Sequence, residues 1–552
     1  MRGSHLFAGA SLAVLLLAGL SSIPALAAVT LAGQVTSAEE GPMEGVLVSA
    51  RKDGSTITVS VVSDDKGHYS FPASKLEPGH YTLAIRAIGY TLDGPKAVDL
   101  ADGASAGTDL RLAKVGNITG QLTNAEWLAS MPGSDADKKP LLGCTNCHTL
   151  QRVAQSSYDA DQFLELIGRM ARYANNTSPL KPQIRVAKTD PTTRFGPGAI
   201  RLAQYLSTVN LSQAPTWTYP LKTLPRVTGA GTHVVITEYA LPRQTMMPHD
   251  VVTDDSGMVW FTDFATEELG SLDPKTGKVV EHPYPMLRQG YPEGSLDLER
   301  DEEGNFWLAM MFQGGIAKFD KTTGAFQTFP VPPNLIKDST QQGEVAAQHW
   351  EVDGKVWMAD NGIKGVQRLD LKTGTWDSIR PFADMPKGQP HGLYGIFADA
   401  NNNLLFNDYG GEAVGRIDAK TLAVTLYPTP TKRSRPRRGR LDDQGRVWFA
   451  EFYGDKAGMF DEKTDEVKEY SVPTPWTAPY DAVLDKHGNL WTAGMETDRI
   501  VRIDPKTGTA IEYPLPRQTN IRRIFVDNST DPVTFWVGNN GGAAIMKLEF
   551  PE

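Results

Sequence analysis

The chain of 552 residues contains only two cysteines, Cys144 and Cys147. Two cysteines give no disulfide framework, so stability has to come from hydrophobic cores. Long apolar runs are also scarce: beyond residue 27 no stretch approaches the length of a transmembrane helix, so we expect no transmembrane segment. The net charge of −10 is mild for this length, with acidic and basic residues mixed throughout, and it gives no support to a nucleic-acid partner.

The first 27 residues have the features of a secretory signal. Arg2 is their only charge, an apolar run covers residues 13–20, and Ala25-Leu26-Ala27 forms a small-x-small cleavage site. We therefore expect cleavage after Ala27 and a mature protein that is periplasmic or secreted.

The two cysteines lie three positions apart, and His148 follows the second. Cys-x-x-Cys-His is the attachment pattern of c-type haem, in which both thiols bond one porphyrin and the imidazole is the proximal iron ligand. The pattern predicts one covalent haem c. A thioredoxin-like Cys-x-x-Cys would need a βαβ context, and half of a zinc site would need a second ligand pair nearby; the sequence offers neither.

Residues 29–115 alternate apolar and polar side chains with period two, interrupted by turn signals such as Glu77-Pro78-Gly79. This pattern predicts a small β-sandwich. The segments Gly33-Gln-Val, Asp65-Lys-Gly-His-Tyr69 and Pro78-Gly-His-Tyr81 resemble carboxypeptidase regulatory-like domains. The resemblance implies a spacer or binding module without chemistry of its own.

Residues 120–212 change to a helical period, with Phe163, Leu166, Ile167 and Met170 recurring at i, i+3, i+4 and i+7. A first helix, the Cys-x-x-Cys-His motif and a last helix with a Leu-x-x-Tyr-Leu pattern resemble a small class I cytochrome c. Such domains place a methionine ligand before the last helix. Here Met170 is the candidate sixth ligand of the iron; core packing of Met170, ligation by Lys181 or Lys188, and an open site remain alternatives.

A Pro-rich linker at 213–232 leads to repeats that fill residues 233–552. Seven aromatic-centred strands recur every 43 to 50 residues, each between an Asp-x-x-Gly-type turn and a hairpin, and they begin at Val259, Phe306, Val356, Leu404, Val447, Leu490 and Thr534. This spacing predicts a seven-bladed β-propeller. Thr237–Arg243 repeats residues 511–517, so we expect it to close the last blade as an outer strand.

The repeat unit at residues 248–263 and 269–277 resembles the virginiamycin B lyase propellers. In that family, elimination uses a His before an inner strand and a Glu at the end of the next strand. Glu451 matches the position of the Glu, but Arg437 and Arg438 stand where the His is expected, so the expected base is missing. These arginines belong to the one basic cluster, residues 432–440, for which we expect a role facing an anion.

Antiparallel pairing brings the start of each innermost strand and the end of the second strand to one rim of the propeller. This places His249 near Asp263, His349 near Asp360 and His391 near Asp408. The candidate catalytic residues are therefore His249, Asp263, His349, His391 and Glu451, and the candidate substrate-binding residues are Asp360, Asp408, Arg437, Arg438, Tyr480 and Arg522. Such a set suits a site for a divalent metal, for a quinone or for general acid–base catalysis. The alternative is that these residues only close the ends of the blades and have no functional role.

The sequence thus predicts a mainly β protein with an N-terminal β-sandwich, a small α-helical cytochrome c domain and a C-terminal seven-bladed propeller. One functional hypothesis is a periplasmic oxidoreductase that binds a small-molecule substrate at the propeller mouth and passes electrons through the haem to a periplasmic electron-transfer partner. A second is a non-enzymatic, haem-bearing binding or docking module. A third is lyase or lactonase-type activity of the propeller.

Overall fold

The computed structural model describes residues 30–103, 105–185, 195–211, 219–386 and 389–551. The expected signal peptide and Lys188 lie outside these residues. Within them, no helix combines the length and the apolar character needed to cross a membrane.

Two facing sheets form the N-terminal part, as the period-two alternation predicts. Burial alternates along the strands, for example in Tyr81 and Leu83, because successive side chains point to opposite faces. The first sheet has the order β2-β1-β10-β7, with β5 and β9 also pairing with β1, and the second contains β4-β3-β6-β8. The strands are β1 (Thr30–Ser37), β2 (Gly41–Pro42), β3 (Leu47–Lys52), β4 (Ile57–Val62), β5 (His68–Ser70), β6 (Gly79–Arg86), β7 (Tyr90–Leu92), β8 (Ala97–Leu100), β9 (Ser105–Gly107) and β10 (Leu110–Lys114).

Five helices follow in the described part of the chain. They are α1 (Asn124–Ser130), α2 (Asp135–Lys138), α3 (Leu150–Ala154), α4 (Ala160–Met170) and α5 (Pro197–Val209), with a 3-10 turn at Lys139–Gly143 leading into Cys144. Thr123 begins α1 through a capping box with Glu126, which satisfies two backbone N–H groups that the first turn leaves unpaired. The helices predicted around Trp127, Phe163 and Leu206 are confirmed.

Six four-stranded antiparallel sheets succeed one another along the rest of the chain. They are β12 (Pro248–Thr253), β13 (Val259–Asp263), β14 (Glu268–Leu272) and β15 (Val279–Pro283); β16 (Leu298–Arg300), β17 (Phe306–Ala309), β18 (Gly315–Asp320) and β19 (Ala325–Pro330); β20 (Gln342–Ala346), β21 (Lys355–Asp360), β22 (Gly365–Asp370) and β23 (Trp376–Ile379); β24 (Leu393–Ala398), β25 (Leu404–Asp408), β26 (Ala413–Ile417) and β27 (Val424–Pro428); β28 (Pro436–Leu441), β29 (Arg446–Glu451), β30 (Lys456–Asp461) and β31 (Glu466–Ser471); β32 (Pro479–Leu484), β33 (Leu490–Gly494), β34 (Arg499–Ile503) and β35 (Ala510–Pro514).

The seventh sheet is built from both ends of this region. Strands β36 (Ile521–Asp527), β37 (Thr534–Asn539) and β38 (Ala544–Glu549) take β11 (Val235–Ala240) as their outer strand. The closing strand predicted from the repeated Glu-Tyr segment is confirmed. The innermost strand of the first sheet contacts that of the seventh, so the seven sheets follow a propeller-like ring.

The N-terminal part and the seventh sheet are continuous. The second edge of β11 pairs with β4, from Val235 opposite Val61 to Tyr239 opposite Ile57. This pairing makes an eight-stranded sheet that runs from the propeller into the sandwich. Arg86 adds an ion pair of 2.6 Å to Asp498. The outer edge of the seventh sheet is therefore covered, which removes an exposed template for strand pairing.

Candidate functional site at the covered mouth of the propeller

Six of the seven innermost strands carry a β-bulge near their start. At a bulge two residues face one residue of the partner strand, and the strand bends so that their side chains are re-aimed. Side chains from these positions reach those of non-adjacent sheets, which places them near the axis of the ring. The bulge pairs are His249-Asp250, Gly343-Glu344, Tyr394-Gly395, Arg437-Arg438, Tyr480-Asp481 and Arg522-Arg523.

The charged second residues of these pairs form, together with Asp297, a buried ionic layer around Arg438. Its guanidinium lies 2.9 Å from Asp250, 2.5 Å from Asp297 and 3.1 Å from Glu344, so one side chain joins four sheets. Arg523 also contacts Asp250, at 2.7 Å. Burial alone would raise the pKa of Asp250, but the two arginines hold it below its ordinary value.

The other carboxyls of this layer behave differently. Burial raises the pKa of Asp297 and of Glu344 well above their ordinary values, although Arg438 opposes the effect. For Asp481 burial raises the pKa to about 8. Arg438 is completely buried, and its guanidinium already lies against Asp250, Asp297 and Glu344. The expectation that Arg438 faces an anionic substrate is wrong for this reason.

The first residues of three bulge pairs, His249, Tyr394 and Tyr480, form an aromatic layer next to the ionic one. His249 Nδ1 lies 2.6 Å from Asp250 Oδ1, and its Nε2 lies 3.1 Å from the Tyr480 hydroxyl, which also hydrogen-bonds Tyr394. Burial lowers the pKa of His249 to about 3, so the imidazole is neutral. The neutral ring donates from Nδ1 to Asp250 and accepts at Nε2 from Tyr480.

Two arginines complete this aromatic layer. The Arg437 guanidinium lies 3.8 Å from the ring centre of Tyr480 and 4.3 Å from that of Phe452, within cation–π range. Arg522 lies 5.4 Å from the Tyr480 ring, and its Nε donates to Asn520 Oδ1 at 2.6 Å. These contacts bring Arg437, Tyr480 and Arg522 together; their role in substrate binding stays a prediction.

The part of the chain that carries α1 to α5, called the helical segment below, covers this mouth. Trp127, Leu128 and Leu142 share one hydrophobic core with Phe264 and Tyr480 of the propeller. The mouth is therefore closed to solvent at these positions: His249, Tyr480 and Arg522 are each no more than 2% exposed.

The Cys144–His148 segment makes polar contacts with the mouth. The Thr145 hydroxyl donates to Glu496 Oε1 at 2.7 Å, Asn520 Nδ2 donates to the Thr145 carbonyl at 2.9 Å, and Arg522 donates to the Asn146 carbonyl at 3.0 Å. Burial raises the pKa of Glu496 to about 7. The Cys-x-x-Cys-His motif and the residues of the propeller mouth, which the sequence predicts as separate sites, are thus in contact.

The side chains of the motif fit a covalent haem chemically. Both cysteines are free and partly buried, and burial raises the pKa of Cys144 to about 11. Burial also lowers the pKa of His148, so its imidazole is neutral, and Nδ1 lies 3.0 Å from the Thr149 carbonyl. An imidazole that donates from Nδ1 to a carbonyl presents Nε2 as an iron ligand.

The candidates for the sixth ligand differ in availability. Met170, at the end of α4, is 39% exposed, so it does not pack in a core. Lys181 forms an ion pair of 2.6 Å with Glu293 of the propeller. Of these two, the thioether is the side chain without a charged partner to displace.

Two parts of the chain match known families. Residues 387–550 match the virginiamycin B lyase family. Residues 30–113 match the carboxypeptidase regulatory-like domain. Neither match includes the Cys144–His148 segment.

Solved structures of several propeller proteins are similar to this chain. A streptogramin B lyase structure is 24% identical, covers 59% of this chain and 100% of its own, and has a TM-score of 0.48. Selenomethionine-substituted virginiamycin B lyase from Staphylococcus aureus is 21% identical over 58% of this chain and 100% of its own, with a TM-score of 0.48. YCF48 from Cyanidioschyzon merolae is 12% identical over 56% of this chain and 98% of its own, with a TM-score of 0.44. No curated protein matches this chain.

Of the three predicted His–carboxylate pairs, the structure contains one. His391 Nδ1 lies 2.6 Å from Asp408 Oδ2, and the ring of His391 stacks on Phe382. His391 Nε2 lies 3.2 Å from Gln389, and the side chain keeps a partial exposure of 13%. In the predicted catalytic set only His349, with a side chain 29% exposed, is more accessible than His391.

The other two pairs are corrected. Pro248, not His249, is opposite Asp263, and the bulge turns His249 inward. Asp263 instead accepts hydrogen bonds from the Met247 and Ala265 N–H groups.

His349 lies three residues beyond the end of β20, because β20 starts at Gln342 opposite Asp360. It lies 3.8 Å from Glu302 and 3.7 Å from Glu351, away from the predicted rim position. Asp360 accepts from Thr340 and Gln342, so it holds its own loop.

Glu451 is opposite Pro436 and is fully buried. Burial, together with the neighbouring charge of Glu469, raises its pKa to about 8. Since Arg437 and Arg438 occupy the bulge beside it, no imidazole of the described residues takes the base position expected from the lyase resemblance.

Sequence reasoning missed the ionic layer of Asp250, Asp297, Glu344 and Asp481. A signal for it exists: a charged residue stands second or third in strands that are otherwise apolar, as in Pro248-His-Asp250-Val-Val and Pro479-Tyr-Asp481-Ala-Val.

Proposed function

We propose that this chain is a periplasmic haem c protein in which a small-molecule substrate binds between the propeller mouth and the helical segment and gives up electrons there. The observation that carries the proposal is the contact of the Cys-x-x-Cys-His loop with Arg522 and Glu496 of the mouth. A redox group attached to this loop would stand beside the buried aromatic layer of the propeller.

The residues that would hold the haem are Cys144 and Cys147, through their thiols, and His148, through Nε2. When bound, the haem supplies one-electron redox chemistry. We propose Met170 as the sixth ligand because its thioether is exposed and carries no ion pair, whereas Lys181 is engaged by Glu293. A periplasmic electron-transfer protein would be the partner, and a metal or quinone at the propeller is not needed for this scheme.

The propeller residues would bind substrate and manage its protons. The chain Asp250–His249–Tyr480–Tyr394 links four polar groups by hydrogen bonds, from the ionic layer toward the helical cover. Such a chain moves or stores a proton without exposing a charge. His391, held by Asp408, is a second acid–base group at the same rim.

The test is reduction of the oxidised protein by candidate substrates, followed anaerobically in the visible spectrum. We expect at least one small organic donor to reduce wild-type protein. Tyr480→Phe, which removes the hydroxyl between His249 and Tyr394, is expected to slow that reduction about tenfold or more, on the scale of one acid–base group. Reduction of the same variant by dithionite, which needs no binding site, serves as the control and should not change.

Two outcomes would favour other functions. If no donor from a broad panel reduces the protein, the haem-bearing docking module becomes the better account. The match of residues 387–550 to the lyase family favours elimination chemistry as a second candidate. Cleavage of a cyclic ester without any change in the haem spectrum would support that candidate and contradict the oxidoreductase.

A further inference from the structure

A cavity of about 200 Å³ lies between the helical segment and the rim of the fifth and sixth propeller sheets. The helical side contributes Asp135, Lys139 and Leu142, and the propeller side contributes Phe452, Tyr453, Asp455 and Trp476, among others. Leu142 precedes Cys144 by two residues, so the cavity adjoins the predicted haem attachment.

Aromatic rings form the propeller side of this cavity. Phe452 and Tyr453 stack with their ring centres 5.7 Å apart, and the Arg435 guanidinium covers Tyr453 at 3.9 Å. Trp476 is half-buried, and Leu142 is buried on the opposite side. The aromatic faces are flat, a shape that suits a planar ring.

The loop that carries Trp476 is fixed in place. Asp455 accepts hydrogen bonds of 2.8 Å from the N–H groups of both Trp476 and Ala478. Trp476 and Ala478 have φ angles of 62° and 47°, in the left-handed region that side chains other than glycine rarely adopt. Such strain persists where the surroundings enforce it, and it is typical of binding sites.

Lys139 supplies the polar end. Its ammonium lies 3.2 Å from the Tyr453 carbonyl and 5.7 Å from the Tyr453 ring centre. The carboxylate of Asp135, on an exposed residue, lies at the same cavity. A hydroxyl group at this end would find both a donor and an acceptor.

We propose that this cavity binds a single-ring phenol, with the ring between Trp476 and the Phe452–Tyr453 pair and the hydroxyl toward Lys139 and Asp135. The volume agrees with one substituted ring: an apolar cavity of about 150 Å³ takes one benzene molecule, and drug-sized ligands need roughly 300 Å³ or more. The inference rests on the proposed function and names the chemical class of its substrate.

Calorimetric titration of the full-length, haem-loaded protein with phenol tests the proposal. Cyclohexanol, of similar size but without an aromatic face, is the control ligand. Phenol should bind wild-type protein at least about tenfold more tightly than cyclohexanol. Trp476→Ala should weaken phenol binding about tenfold, and Trp476→Phe, which keeps an aromatic face, should stay within about threefold of wild type.

Tyr453→Leu provides a second variant in case Trp476→Ala does not fold, since it removes an aromatic wall from a different loop. Equal binding of phenol to wild type and to the folded wall variants, or equal affinity for phenol and cyclohexanol, would overturn the inference. Failure of haem attachment would overturn the proposed function instead. Phenol binding and its loss in the wall variants can still be measured on that haem-free protein, so the two failures are distinguishable.

Discussion

At the scale of single residues, Arg438 has the strongest structural role that the side-chain contacts reveal. It is completely buried and joins carboxylates from three other sheets. Removing one partner of a buried ionic cluster leaves charge uncompensated, which is far more costly than the net contribution of the intact cluster.

We predict that Arg438→Met lowers the free energy of unfolding by about 3–5 kcal/mol. Arg433→Ala, a substitution of an exposed arginine in the same basic cluster, should change it by less than about 0.5 kcal/mol. Denaturant unfolding of the two variants beside wild type measures the difference. Similar stability of both variants would mean that the ionic layer does not hold the ring together.

The raised pKa of Glu496 predicts that the stability of the protein depends on pH. Its pKa of about 7 in the folded protein lies above the ordinary 4.5, mainly because of burial, so the folded state binds more protons between these values. The stabilisation that comes from this extra proton is complete below pH 4.5 and is lost as the pH rises through 7. Glu451, with a pKa of about 8, acts in the same direction.

We therefore expect Glu496→Gln to reduce the loss of stability between pH 5 and pH 8, because the amide keeps the acceptor for Thr145 and cannot ionise. Glu39→Gln, at an exposed position, is the control and should follow wild type. The measurement is the free energy of unfolding at both pH values. An identical pH-dependent loss in Glu496→Gln and wild type would show that Glu496 does not titrate in this range.

At the scale of elements, local sequence signals predicted individual strands better than they predicted the contacts between distant segments. The aromatic strands around Trp260 and Trp448 repeat with their turns, so the sequence marks each of them. The closing role of β11 was predictable because its Glu-Tyr segment recurs at residues 511–517. The pairing of β11 with β4 was not, since any exposed strand edge offers the same backbone groups.

The bulges explain where the prediction of the site failed. A simple antiparallel register places His249 opposite Asp263, but one extra residue in the strand turns His249 toward the axis and leaves Asp263 to hold its loop. His349 was misplaced because β20 starts seven residues before it.

The shared sheet predicts that the sandwich and the propeller stabilise each other. Thr58 lies in β4, opposite Glu238 of β11 and Arg51 of β3. Thr58→Pro removes a backbone donor from the ladder and should lower the free energy of unfolding by about 2 kcal/mol or more. Thr58→Ala, which keeps the N–H group, should cost clearly less. Equal stability of the two variants would contradict a continuous ladder at this position.

At the scale of the whole molecule, the helical segment is the central feature, because it lies over the mouth of the propeller that the sandwich braces from outside. Its helices were predictable from capping and period, as at Thr123 and Phe163. Its position was not predictable, since the residues that hold it, such as Glu496 and Asn520, are more than 350 positions away from Thr145. The functional proposal depends on this placement and on the chemistry of Cys144, Cys147 and His148.

Intact-mass measurement after denaturation tests this account most directly. Wild-type protein is produced in a periplasm that contains a haem-maturation system, beside the double variant Cys144→Ser, Cys147→Ser. We expect wild type to carry the mass of one haem that survives denaturation and the double variant to carry none. Wild-type protein with the unmodified mass and two free thiols under these conditions would contradict the account.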